Sequence, residues 1–250
     1  MSQNQQYIFG PGALYGTNLN ANSTPRRFGE LQDCSIDFAY TEKELYGSNQ
    51  FPIAIARATA KVTGKAKFVQ VNASVYNDLF FNQTQSTTLV NNTAVNEIQA
   101  ISANVNATNH TTWTTDLGVI FSNGPLAGIA LTLVSGSPTI SGTYSVAAGV
   151  YSFCSADVSA GNAVALNYVY TSSVGAIITG NNPLIGVTPM FSIVFNTQYN
   201  GNQTTVTFPQ CTSSKLNLPG KQGDFTVPEL DFSVMANGSG QVFTISTTAI

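Results

Sequence analysis

The chain has 250 residues, 43% of them hydrophobic and only 8% charged, where an ordinary soluble domain carries about 25% charged residues. Charge-driven disorder is excluded, and the length suffices for one large β domain or two smaller units that each bury a core. The net charge of −3 and a pI near 4.9 leave no overall positive field to hold nucleic acid by counterion release, so stable DNA binding is not expected. The longest apolar run, 126–134, is broken by Gly128 and Thr132 and falls well short of the roughly 18 residues that cross a bilayer, so membrane insertion is not expected. The start, Met-Ser-Gln-Asn-Gln-Gln, lacks the basic and apolar stretches of a secretory signal, and export is not expected either.

Charge is unevenly placed. All nine Lys and Arg lie within 26–67 or at 215 and 221, whereas 82–182 contains only Glu97, Asp116 and Asp157 as charged residues. The flanks therefore balance to zero and the whole net charge sits in the middle. This break predicts a β-rich module, 82–182, inserted into a core made of 28–81 and 183–250.

In chain order, residues 1–27 are punctuated by Gly10, Pro11, Gly12 and Gly16 and continue in a polar stretch to Pro25, which predicts an extended, mobile N-terminal arm. From Phe28 the alternation that sets Cys34, Ile36 and Phe38 on one side predicts a half-buried strand. Tyr40 to Phe51 mixes charges with Gly47, Ser48 and Asn49 and is expected to be a loop with sticky aromatic side chains. Over 53–71, Lys61, Lys65 and Lys67 alternate with apolar residues, and Gly64 suggests a bulge or bend. Asn72 is a good N-cap for a short amphipathic helix with Val75, Tyr76, Leu79 and Phe80 on one face, ending by Asn82. Beyond it short β-like segments follow one another, the clearest being 163–171, whose Val164, Leu166, Tyr168 and Tyr170 share a face. The last flank repeats the habit at Phe191, Ile193 and Phe195, at Val206 and Phe208, at 225–232 and at 242–245. The fold class is mainly β, with a small sandwich as the natural assembly of the middle segment.

The chemistry-bearing residues are sparse. The single histidine, His110, lies in a polar string and reads as a solvated loop residue with no nucleophile or acid beside it. Asp37, Glu42 and Glu44 could be posed as a glycosidase pair, but Lys43 and Tyr46 beside them make a solvated loop the better reading. Cys34, Cys154 and Cys211 are widely spaced and odd in number, which fits unpaired structural thiols and neither a disulfide framework nor a zinc set. Gly64-Lys65 lacks the upstream glycine of a phosphate loop, and Lys61, Lys65 and Lys67 read as surface or interface ion pairs. Trp113 is expected inside a sheet. Eight Asn-x-Ser/Thr sites are attributed to the high Asn, Ser and Thr content. No catalytic residue, cofactor or metal is assigned, and a chain of this kind works by assembling.

Several segments carry a resemblance. Phe28-Gly-Glu-Leu-Gln-Asp-Cys-Ser-Ile-Asp-Phe38, Lys43-Glu-Leu-Tyr-Gly-Ser-Asn-Gln-Phe-Pro52, Thr63-Gly-Lys-Ala-Lys-Phe68 and the helix ending Asn77-Asp-Leu-Phe-Phe81 resemble the major tail tube proteins of long-tailed, siphovirus-like bacteriophages. Lys215 to Phe225, Pro228-Glu-Leu-Asp-Phe232 and a final strand from Gly240 resemble the closing strands of that family. The resemblance implies a β-sandwich or barrel with one flanking helix, assembled as hexameric rings stacked into a hollow tube through which double-stranded DNA passes during ejection. It implies as partners further copies of the chain and other tail proteins such as the tape measure and tail terminator, with DNA only in transit. It also implies synthesis in the bacterial host cytoplasm and a final place in the virion tail. The residues expected at the assembly interface are Lys43, Glu44, Leu45, Tyr46, Gly47 and Phe51. The alternatives are a capsid decoration protein or a tail-tip adhesion, receptor-binding protein.

Overall fold

Strand takes 53% of the chain and helix 7% in a computed structural model that describes residues 7–19, 23–70, 72–220 and 222–248, so the protein is mainly β. The chain divides into two compact units, residues 1–85 with 178–250, and residues 86–177.

The first unit opens with β1 (Ala13–Asn18), β2 (Arg26–Arg27), β3 (Leu31–Tyr46) and β4 (Pro52–Phe68). A helical turn, α1 (Ala73–Tyr76), follows and widens into a π-helical turn over Asn77–Phe81 before β5 (Gln85–Ser86). The second unit holds β6 (Val90–Ala100), β7 (Asn104–Asn106), β8 (Trp113–Phe121), β9 (Thr132–Leu133), β10 (Thr143–Ala147) and β11 (Val150–Phe153). It continues with α2 (Ser155–Ser159), which the sequence did not suggest, β12 (Ala163–Ser172) and the start of β13 (Ile177–Ile178). The chain then completes the first unit with β14 (Phe191–Tyr199), β15 (Asn202–Asn217), β16 (Glu229–Val234) and β17 (Thr244–Thr247).

The first unit is built on one sheet in the order β2-β1-β14-β15-β16-β4-β3, with β17 also paired to β15. A single row crosses six of these strands: Asn18, Phe191, Cys211, Val234, Val62 and Phe38 are successive partners. Leu14, Phe28, Phe68, Phe191, Phe208 and Phe232 are all buried on its inner side, and each such side chain contributes about 1.5–3 kcal/mol on burial. The helical segment closes this core with Val75, Tyr76 and Leu79. It starts where expected, the Asn72 side chain accepting the Ser74 N–H at 2.9 Å, and ends at Asn82 in the left-handed region.

Two expectations are corrected here. The segment 1–27 is not a mobile arm over its described residues: β1 lies between β2 and β14, Leu14 is buried, and the Asn18 amide donates to the Asp78 carbonyl at 2.7 Å. Gly16 permits the docking, since a Cβ there would come within 2.7 Å of Leu79. Residues 1–6 and 20–22 lie outside the described set. Gly64 marks no bulge, for its pairing with β16 is unbroken. It is small because a Cβ would collide with the Phe232 ring.

The second unit has sheets in the orders β6-β12-β8 and β7-β11-β10-β9, whose inner residues, among them Val119, Phe121, Tyr144, Tyr151, Leu166 and Tyr168, form one core. The alternation in β12 is the reason: Val164, Leu166 and Tyr168 are buried and Tyr170 half-buried on one face, while the other carries buried Ala165 and half-buried Asn167 and Val169.

Candidate functional site

Strands β3 and β4 outrun their sheet. β16 stops at Val234, opposite Val62, and among the described residues β3 and β4 pair only with each other from Ala39–Lys61 onward. The seven further pairs carry a two-stranded hairpin out by roughly 25 Å at the usual rise per residue. From Asp37 to Lys61 every residue except Pro52 is exposed.

The expected loop over 40–51 is therefore corrected to a strand, a five-residue turn (47–51) and the start of a second strand. Tyr40, Glu42, Glu44 and Tyr46 alternate with Thr41, Lys43 and Leu45, a period of two that a loop does not need. The turn formers are confined to Gly47-Ser48-Asn49-Gln50.

A bulge decides which side chains share a face. Tyr40 is opposite Ala60, but Glu42 is opposite Arg57, so β4 carries one extra residue there. The Thr41 and Thr59 hydroxyls clasp it at 2.6 Å, and the Thr59 N–H donates to Thr41 Oγ1 at 3.0 Å. Beyond the bulge the β4 side chains change sides, so that Arg57 and Ile55 join Tyr40, Glu42 and Glu44 while Ala54 and Ala56 join Lys43 and Leu45. The Arg57 guanidinium lies 4.4 Å from the centre of the Tyr40 ring, a cation–π pair. The Tyr46 hydroxyl donates to the Glu44 carboxylate, which pushes the phenol up. This face continues the one on which Cys34, Ile36 and Phe38 meet the core, and among the described residues nothing covers it.

The expected interface residues fall together on this projection. Lys43 and Leu45 lie on its outer face, Glu44 and Tyr46 on the inner one, Gly47 and Phe51 in the turn. Phe51 is 80% exposed and Tyr46 55%. Sequence reasoning missed the β4 half, Ile53, Ile55 and Arg57, with Ile53 67% exposed. The signal was present in Ile53-Ala-Ile-Ala56 following a run of turn formers.

The remaining residues singled out from sequence are dispersed. Glu42 and Glu44 share the inner face while Asp37 lies beside Thr63 on the outer one, all in solvent. Lys65 and Lys67 find their carboxylates in Glu229, Asp231 and Asp33, with Lys65 Nζ 2.8 Å from Glu229. Lys215 reaches the same Glu229 at 3.8 Å, and the three lysines hold this carboxyl below its usual range, chiefly through the Lys65 hydrogen bond. Together these residues line the outer face of β3, β4, β16 and β15 as a charge-compensated ladder. His110 is half-buried, correcting the solvated loop: it opens a short 3₁₀ turn, its Nδ1 donating to the Ala107 carbonyl at 3.1 Å. Trp113 is half-buried against the core of the second unit and donates to the Tyr151 hydroxyl at 3.3 Å. All three cysteines are free. Among the described residues no group of three or more His, Cys, Asp or Glu is placed to hold a metal, and no helix is long and apolar enough to cross a membrane.

No protein-family model matches this chain, and no curated protein matches it.

Proposed function

We propose that the chain is a structural virion protein whose copies self-assemble into stacked, hexameric rings, forming a phage tail tube through which double-stranded DNA is ejected. The observation that carries this reading is the distal β3–β4 hairpin. Among the described residues it is an exposed arm with a free strand edge and an uncovered apolar stripe continuous with the core face, the kind of element that pairs with another chain. Both of its faces also carry charge, Lys43 on one and Glu42, Glu44 and Arg57 on the other, which suits a protein partner and not lipid.

The ladder of Lys65, Lys67 and Lys215 supports a conduit that lets DNA pass, since each lysine already has a carboxylate within 4.0 Å. Phosphates must displace that carboxylate before any counterion-release gain appears. Further copies of the chain, a tape measure and a tail terminator are the partners of this reading, and the virion tail its location.

Negative-stain microscopy of the purified protein tests it. Stacked rings with a central hole are expected, together with no retardation of duplex DNA at physiological salt. Discrete globules favour instead a capsid decoration or tail-tip adhesion protein, and sub-micromolar DNA binding removes the conduit.

A further inference from the structure

The hairpin tip needs a counter-surface, and the first unit exposes a second apolar element. Between Asn181 and Met190 the chain turns Leu184, Ile185 and Val187 to solvent, Ile185 completely. This segment is held in shape. The Val187 N–H donates to the Leu184 carbonyl at 3.2 Å across Gly186, whose φ of 94° only glycine takes without strain. At its two ends the Asn181 N–H donates to Gln83 Oε1 at 3.2 Å and the Leu19 N–H to the Met190 carbonyl at 3.0 Å. Pro183 and Pro189 fix φ within it. A turn already ordered gives up little entropy on binding.

Charge singles out the same pair of surfaces. Residues 45–56 at the hairpin tip contain no charged side chain, and neither do residues 158–214 around the turn. Bringing them together covers no ion but Glu44, which lies opposite Ile55 and already accepts the Tyr46 hydroxyl. Pairing β3 with the β3 of a second copy about a two-fold axis is disfavoured by comparison. Centred on Glu42, Lys43 or Glu44, it sets like charges directly opposite one another.

The sheet register supplies direction. In the row that joins Phe38, Val62, Val234, Cys211 and Phe191, β3 and β4 run on from one side toward the hairpin tip, whereas Met190 and the turn precede Phe191 on the other. Tip and turn lie at opposite ends along the strands. The exposed side chains of Leu45, Tyr46, Phe51, Ile53 and Ile55 offer apolar area on the order of 600 Å², near the roughly 800 Å² that one side of a standard interface contributes.

We infer that the hairpin tip of one copy docks on the Leu184–Val187 turn of a second copy, head to tail along the strands. This rests on the self-assembly reading and adds the receiving surface. Because the two patches differ, each contact leaves one tip and one turn free, and the association repeats.

Complementary lesions test it. Phe51→Asp and Ile185→Asp alter exposed positions, and their melting and circular dichroism are expected to match the wild type. Each variant alone should stop at single rings where the wild type forms stacked polymers. Mixed in equal amounts as preformed rings they should give paired rings and nothing longer, because only one set of tips and one set of turns remains intact. Ile185→Asp stacking like the wild type, or a mixture that stays at single rings, overturns the docking while the self-assembly reading stands on the wild type. A wild type that never associates overturns both. The double variant Phe51→Cys/Ile185→Cys gives a reading independent of the aspartates: with an added oxidant, a disulfide-linked ladder is expected, and its absence from assembled protein counts against the docking.

Discussion

The two units treat charge and strand edges in opposite ways. In the second, all three carboxylates are turned inward or clasped by neutral donors. Glu97 accepts from Tyr168 at 2.5 Å, from the Thr108 N–H and hydroxyl at 2.9 and 2.8 Å and from Gln99 at 2.9 Å. Asp116 takes the hydroxyls of Tyr144 and Tyr151 at 2.5 and 2.9 Å, and buried Asp157 takes those of Ser141 and the Gly142 N–H at 2.5 and 2.8 Å. Its outer strand β6 is bulged at Asn96, whose N–H is taken up by the Asn167 side chain at 2.8 Å, a device that blunts an edge. In the first unit the ions pair across the sheet surface, and among the described residues β3 leaves its sixteen residues as an open edge ending in apolar side chains. A unit that satisfies its polar groups internally is suited to stand apart, and one that leaves an edge and a stripe uncovered is suited to be joined.

The most severe way to separate the two units is to empty one core. Phe232→Ala should cost the first unit about 3–5 kcal/mol, lowering one thermal transition while that of the second unit, followed through Trp113 fluorescence, stays in place. A joint loss of both transitions would mean that the units do not unfold separately. Next in size is Asp116→Ala, which strands the Tyr144 and Tyr151 hydroxyls and should cost the second unit about 2–4 kcal/mol. Assembly, judged by sedimentation, should be unchanged. Burial first, and Asp116 with it, pushes the Tyr144 phenol up, so its ultraviolet titration should move down toward the ordinary tyrosine range in this variant.

Acid should sharpen the contrast by a smaller amount. Burial alone would raise the Glu97 carboxyl, but the hydrogen bonds from Tyr168, Gln99 and Thr108 outweigh it and hold it below the usual range. A carboxyl lowered on folding stabilises fully above its unfolded value and loses that share as the pH falls through the folded one, so the loss belongs below about pH 4. Urea midpoints of the second unit at pH 7 and pH 3 should differ less in Glu97→Gln than in the wild type. The slightest expected effect is on the thiols. Burial, with the Asp33 charge adding to it, pushes Cys34 up to about 12, and burial alone does the same for Cys211. Alkylation at pH 8 should be slow at both, and a reducing agent should leave the melting temperature where it is.

Local pattern carried those parts whose surroundings are fixed by their own chain. The period of two in β12 and in Phe191-Ser-Ile-Val-Phe195 states which residues are buried, because a strand with one dry face needs that alternation. Asn72 and the spacing of Val75, Tyr76 and Leu79 state a helix, because the cap and the apolar stripe lie within ten residues. β6 could not be read this way. As an outer strand with exposed Val95 and Ile98 set among the polar residues Asn91, Asn92, Thr93, Asn96 and Gln99, it has no dry face of its own, and only its pairing with β12 makes it a strand.

The interface shows the same division. The sequence alone determined a mainly β chain of low charge, the uneven placement of its lysines and arginines, and the residues from Lys43 to Phe51 as a sticky stretch. Tertiary structure decided that this stretch is the end of a hairpin, that β4 supplies half of it, and that the Thr41–Thr59 bulge turns Ile55 and Arg57 to the side of Tyr40. It also decided that Ala13–Asn18 is a strand inside the sheet and not an arm. The physical reason is common to all four. Strand pairing, register and the space left by Gly16 and Gly64 are set by residues distant in sequence, and no window along the chain contains both partners.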